Sequence, residues 1–162
     1  MASRSVRRLA GLLAGAGAAH FAAPRLFDGI VPRALPGSAR TWTYLSGAAE
    51  LATAAAVAHP RTRRAGSLAA AGLFVAVLPA NVQMARDWRT RPAPLRAAAS
   101  ARVPAQIPLV LWGLYEARRA RRAQADGQGR AQDPAQGGAE SGVLEGRNAG
   151  QASPTGSRKS RS

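Results

Sequence analysis

Residues 68–79 read Leu-Ala-Ala-Ala-Gly-Leu-Phe-Val-Ala-Val-Leu-Pro, an unbroken stretch without a polar side chain. A helix on the surface of a water-soluble protein turns a polar face outward with a period of 3.6 residues, whereas a helix apolar all round is buried in protein or in lipid. A second stretch of the same kind, LAGLLAGAGAA, occupies residues 9–19. A soluble four-helix bundle is the competing reading, because alanine is only weakly apolar. A chain this short cannot hide several such helices inside one protein core, so lipid is the expected surroundings.

Four apolar segments extend outward from this stretch: residues 6–23, 41–58, 65–85 and 103–117. A helix rises about 1.5 Å per residue, and crossing a hydrocarbon core of about 30 Å takes about 20 residues. The third segment meets that length. The others are somewhat short, a deficit that tilt and snorkelling arginines can absorb. The expected fold class is therefore all-α, a four-helix transmembrane bundle over residues 1–122. Residues 123–162 are rich in Gly, Gln, Ser, Pro and charge, with only Val143 and Leu144 as large apolar residues. Such a composition buries too little surface to offset ordering entropy, and a disordered polar and basic C-terminal tail is expected. The mean hydropathy of −0.16 averages these two unlike parts.

The chain carries a formal net charge of +15, and 22 of its 23 basic residues are arginine. They cluster at the edges of apolar segments rather than on one face with interleaved aromatics, which argues against nucleic acid as a partner. Arg4, Arg7 and Arg8, then Arg61, Arg63 and Arg64, then Arg118, Arg119, Arg121 and Arg122 would share one side of the membrane. The longer loops on the other side carry their arginines more sparsely. The bias of basic residues toward the cytoplasm places both termini there. Trp42, Tyr44 and Trp88 would then sit near the outer interface. Arg7 and Arg8 before an apolar run also resemble the start of a signal peptide, but the run passes through His20 and Phe21 into further patterned sequence.

Cysteine is absent, which removes disulfides, thiolate metal sites and thiol nucleophiles together. Each helix instead carries a conspicuous polar residue: His20, Glu50, Asn81 and Gln106, with Gln83 near the third. With the N-terminus inside, all four would fall in the outer half of the membrane at compatible depths. Polar groups there are costly unless they pair or face water, so the four are expected to face one another in a small pocket opening outward. Pro79, Pro104 and Pro108 would interrupt helical hydrogen bonding at the same depth. The competing reading is that these residues are interhelical packing contacts of about 0.6 kcal/mol each. His20 and His59 lie toward opposite faces, so bis-histidine haem ligation is not expected. No cluster with metal-ligand spacing, catalytic triad or phosphate-binding loop is present. Gly11 and Gly15 make a G-x-x-x-G spacing, which is close to a chance event in so Ala/Gly-rich a helix.

HF-x-x-P-x-x-F from His20, SG-x-x-E ending at Glu50, P-A-N-x-x-M from Pro79 and P-x-Q-x-P-L from Pro104 follow one another in this order. Together, over about residues 15–115, they resemble the DoxX-like family of small bacterial four-helix membrane proteins. The resemblance implies a multi-pass protein of the bacterial inner membrane. It also implies an accessory role, without stand-alone catalytic activity, in a membrane redox complex, with a quinone as ligand and a redox protein as partner; a second copy of the chain as partner is instead what one mid-depth acid in four helices would need for transport. It brings no catalytic role for His20, Glu50, Asn81 or Gln106. A small-solute transporter, or a purely structural membrane protein, is the alternative from the residues themselves.

Overall fold

The structure, a computed structural model, describes residues 3–132. It is all-α over that range, with turns and no strand among the described residues. Its helices are α1 (Arg4–Ala22), α2 (Pro24–Asp28), α3 (Ala39–Ala58), α4 (Arg63–Ala76), α5 (Leu78–Asp87) and α6 (Ala93–Gln132). By contacts the chain divides into residues 1–122 and residues 123–162.

Local chemistry sets the helix ends. Ser3 and Ser38 cap α1 and α3, their hydroxyl oxygens accepting the N–H groups of Val6 and Thr41 at 3.3 and 3.1 Å. Pro24 opens α2, where its missing N–H costs nothing. Pro60 ends α3 by holding His59 extended, at φ −78° and ψ 129°.

Proline breaks the third apolar segment and leaves the fourth intact. Pro79 removes the N–H that Val75 would have bonded, and the helix pauses at Val77 between α4 and α5. Pro104 and Pro108 lie inside α6, which runs through both. Each of the three removes one helical hydrogen bond, as expected, but only at Pro79 does the helix itself break. The fourth helix also begins earlier than its apolar stretch, at Ala93, and so includes Arg96 and Arg102, read from sequence as loop residues. It ends later, at Gln132. Residues 123–132, assigned from sequence to the disordered tail, are thus helical. Scarcity of apolar residues limits burial, but Ala, Arg and Gln are good helix formers without it. The rest of the expected tail, 133–162, lies outside the described residues.

Glycines set how closely the helices approach. A Cβ on Gly17 would stand 2.9 Å from the Gly47 carbonyl oxygen, and one on Gly47 would stand 3.0 Å from that of Gly17 and 2.7 Å from His20 Cβ. Helices α1 and α3 thus cross in backbone contact. Gly66 lies as tightly against Ala56 and Val57 of α3, and Gly113 of α6 lies against Ala71 and Ser67 of α4. Gly11 and Gly15 have open space around them. Val6, Leu9, Leu13, Ala54, Val57, Ala70 and Phe74 form the core. It is built from the first half of α1, the end of α3 and α4. Trp112 of α6 is tied to the start of α1, its indole N–H donating to Ser5 Oγ at 2.9 Å.

Beside the apolar core, some polar side chains are buried and some large apolar ones are exposed. Thr43, Thr53, Ser67, Asn81, Gln106 and Glu116 are buried, while Leu45, Leu68, Val75, Ile107, Leu111 and Tyr115 are exposed, Ile107 by 65%. Among the described residues one helical run, Arg63–Asp87, is by length and composition sufficient to cross a membrane.

Candidate functional site

The close crossing of α1 and α3 creates the first half of the site. His20 lies three residues after Gly17, and Glu50 three residues after Gly47, so each side chain projects one turn beyond the contact. Their positions follow from the missing Cβ atoms: Glu50 Oε2 stands 3.3 Å from His20 Nδ1. The imidazole carries its hydrogen on Nδ1 and donates it to the Ala16 carbonyl at 2.9 Å. It also stacks on Phe27, with ring centroids 3.8 Å apart. The ring is thus fixed on one face by α2 and on one edge by its own helix. Glu50 Oε2 is buried, makes no hydrogen bond of its own and faces the same ring nitrogen.

The second half comes from α5 and α6. Asn81, in the first turn after the proline break, is buried, and its Oδ1 accepts from Arg102 Nε at 3.2 Å. Gln106 lies four residues after Arg102 on the same face of α6 and is also buried, with its Oε1 unpartnered. His20, Glu50, Asn81 and Gln106 all line one cavity of about 670 Å³, and Arg102 lines it with them. The His20 ring and the Arg102 guanidinium are the titratable neighbours of Glu50. Most of the remaining wall is apolar, including Leu12, Leu45, Leu73, Phe74, Val77 and Leu109. A cavity of this size with a few convergent polar groups suits a small amphipathic molecule.

The segment joining α1 to α3 forms part of the wall. Ile30, Val31, Pro32 and Leu35 face the cavity, as does Trp42. Four contacts hold this segment. Arg40 makes a two-pronged contact with Asp28, the shorter bond being 2.8 Å. Thr43 Oγ1 donates to Asp28 Oδ1 at 2.8 Å. Trp42 Nε1 donates to the Pro36 carbonyl at 2.6 Å. Gln83 donates to the Val31 carbonyl at 3.4 Å and does not line the cavity. The Arg40 guanidinium, with help from the Thr43 hydroxyl, holds the Asp28 carboxyl below its ordinary value, against a smaller opposing effect of burial. The core lies at the other end of α1, so closely packed apolar side chains close the cavity on that side.

The four residues singled out from the sequence therefore share one site. Arg102 was missed. Its signal was available as the i, i+4 spacing to Gln106, but it counts only once the helix is known to start at Ala93. Glu116 was also missed. It is 1% exposed, with Oε1 unpartnered, and does not line this cavity. Among the described residues no group of three or more His, Cys, Asp or Glu could hold a metal ion, and His59 is exposed at the end of α3.

A family model described as "Domain of unknown function (DUF8561)" matches residues 9–117, a span that contains every polar residue of the cavity. No curated protein and no solved structure matches the chain.

Proposed function

We propose, for a chain that belongs to the DUF8561 family, that it is a membrane-embedded four-helix bundle that binds a quinone-like amphiphile in the cavity and serves as an accessory subunit of a membrane redox complex. The observation that carries this reading is the convergence of His20, Glu50, Asn81 and Gln106, from four different helices, on one largely apolar cavity. The quinone ring and tail would meet the apolar wall, and the polar groups would meet its oxygens. Buried polar and exposed apolar side chains support lipid as the surroundings. The run Arg63–Asp87 supplies one span, broken at Val77. Helices α1, α3 and α6 would supply the others, helped by tilt. The resemblance to the DoxX-like proteins supports the redox assignment and an inner-membrane location.

The arginine bias supports cytoplasmic termini, which puts the cavity toward the outer face. Cysteines at Ala34, Thr62 and Thr90 test that arrangement, because no native cysteine competes. An impermeant thiol reagent added outside labels Ala34→Cys and Thr90→Cys but not Thr62→Cys. Labelling of the Thr62 variant alone inverts the topology.

Purification of the whole protein in mild detergent, followed by extraction and quantification of bound quinone, tests the function. The expected result is a stoichiometric fraction in the wild type that falls in Glu50→Gln. No quinone in the preparation, together with solute flux in vesicles that Glu50→Gln abolishes, would replace this reading with transport.

A further inference from the structure

At the end of the bundle away from the cavity, packing gathers arginines from three helices. Trp112 of α6 donates to Ser5 at the start of α1, and Gly113 of α6 lies against Ser67 of α4. From that contact α4 runs toward the cavity, which Phe74 and Val77 line, and α6 arrives from it, where Gln106 lies. Arg64, three residues before Ser67, and Arg118, five residues beyond Gly113, are therefore displaced the same way, by about 4.5 and 7.5 Å along their helices. Arg4 adjoins Ser5 at the same level. Arg4, Arg64, Arg118 and Arg122 are all exposed. Arg63 is set apart, because its guanidinium donates to the Val57 and Ala58 carbonyls at the end of α3.

Little negative charge offsets them. Among residues 3–122 the acidic side chains are Asp28, Glu50, Asp87 and Glu116. Glu50 lines the cavity, Asp28 holds the segment that walls it, and Asp87 ends α5. Glu116 lies at the arginine-rich end but is buried.

The exposed arginines also continue exposed apolar stripes. On α6, Ile107, Leu111 and Tyr115 are exposed at four-residue spacing, and Arg118 and Arg122 follow on the same face. On α4, Val75 and Leu68 are exposed and Arg64 continues their face one turn before Leu68. Each stripe leads from apolar side chains to a guanidinium at the end of the bundle. A nucleic acid or an acidic protein would meet the charge and leave the apolar stripes uncovered. A phospholipid meets both, its acyl chain lying along the stripe and its phosphate taking a two-pronged contact from arginine. A zwitterionic head group offsets its phosphate with its own ammonium, so the complement of uncompensated arginine is a lipid of net negative charge.

We infer that this end of the bundle binds anionic phospholipid, with the phosphate held by Arg64, Arg118 and Arg122 and the chains laid on the stripes of α4 and α6. This rests on the membrane reading above and is independent of what the cavity binds. An arginine beside a charged membrane surface strengthens attachment about fivefold, so removing two weakens it about 25-fold at low salt, and less as salt screens the pair.

The test first washes membranes from expressing cells with alkaline carbonate, then purifies the full-length protein in neutral detergent and measures lipid binding by native mass spectrometry. The probes are phosphatidylglycerol and phosphatidylcholine with matched chains, and glycerophosphoglycerol, which has the anionic head group and no chains. Phosphatidylglycerol is expected to bind at least about 25-fold more tightly than phosphatidylcholine. Arg118→Gln/Arg122→Gln should remove most of that preference. Arg89→Gln/Arg91→Gln, which deletes the same charge from exposed positions after α5, should leave it. Equal binding of the two lipids to the wild type overturns the inference, and so does an equal loss in both double variants, which would make net charge the cause. Binding of glycerophosphoglycerol as tight as that of the lipid overturns the role of the stripes. Protein released by the carbonate wash removes the membrane reading itself, whereas protein retained without a lipid preference removes this inference alone. The wild-type comparison needs no variant to fold.

Discussion

The contact between Gly17 and Gly47 makes a sharp prediction, because the two cavity residues His20 and Glu50 owe their juxtaposition to it. Replacing Gly47 with alanine would put a methyl 2.7 Å from His20 Cβ, 2.8 Å from Phe21 Cε2 and 3.0 Å from the Gly17 carbonyl oxygen. Carbon–carbon contacts are comfortable at about 3.5–4.0 Å, so α1 and α3 must separate. Overpacking of this kind costs about 1–3 kcal/mol. Alanine recovers about 1 kcal/mol of helix propensity over glycine, which leaves a net loss of roughly 1 kcal/mol. Gly11→Ala is the matched control: it gains the same propensity in the same bundle and meets nothing within 4 Å. The two variants should therefore differ by about 2 kcal/mol, combining the loss at Gly47 with the gain at Gly11. For a domain of this size that is roughly 8 °C in melting temperature, with Gly11→Ala above the wild type and Gly47→Ala below it. Circular dichroism of the detergent-solubilised proteins on heating is the assay. The two variants melting together would refute the close crossing and, with it, the structural origin of the His20–Glu50 pair.

Other consequences are independent of that crossing. Gly66→Ala places a Cβ 2.5 Å from backbone atoms of Ala56 and Val57, which cannot rotate away; a larger loss than at Gly47, about 3 kcal/mol, should appear in the same melting assay. Ser38→Ala removes the cap of α3 and should cost about 1 kcal/mol, read in the same way. Asp28 should titrate below the ordinary aspartate value of about 3.9 because Arg40 bonds its ionised form. A lowered folded-state value means that its stabilisation is complete above the unfolded pKa and disappears as pH falls through the folded one. Carboxyl-carbon NMR should show that low midpoint, and Arg40→Ala should return it toward the ordinary range. Arg102→Gln should weaken ligand binding by a few-fold to tenfold, since it releases the Asn81 carbonyl and removes the one permanent cation lining the cavity; affinity unchanged within error would exclude Arg102 from the site.

Helicity, the positions of the apolar segments and the identities of four cavity residues were legible in the chain itself. The reason is local. Uninterrupted runs such as residues 68–79 have no way to satisfy their backbone and hide their side chains other than as helices packed in an apolar environment, and polar residues isolated within such runs must find one another. Glycine contacts were not legible, because a glycine that permits close approach and one that faces open space look alike in an Ala/Gly-rich sequence. The visible G-x-x-x-G at Gly11 and Gly15 touches nothing, while Gly17 and Gly47 carry the crossing. Nor was the reach of α6. Its ends depend on helix propensity in polar sequence, whereas the apolar pattern marks only the part that is buried.

The amino-acid order thus settled that helices form and which side chains are too polar for their surroundings. The folded arrangement settled the rest. It brought Arg102 beside Asn81, stacked His20 on Phe27, and set Glu50 against His20. Those outcomes depend on distances between residues far apart in the chain, and such distances are set by how closely backbones can approach, a property of the packed whole.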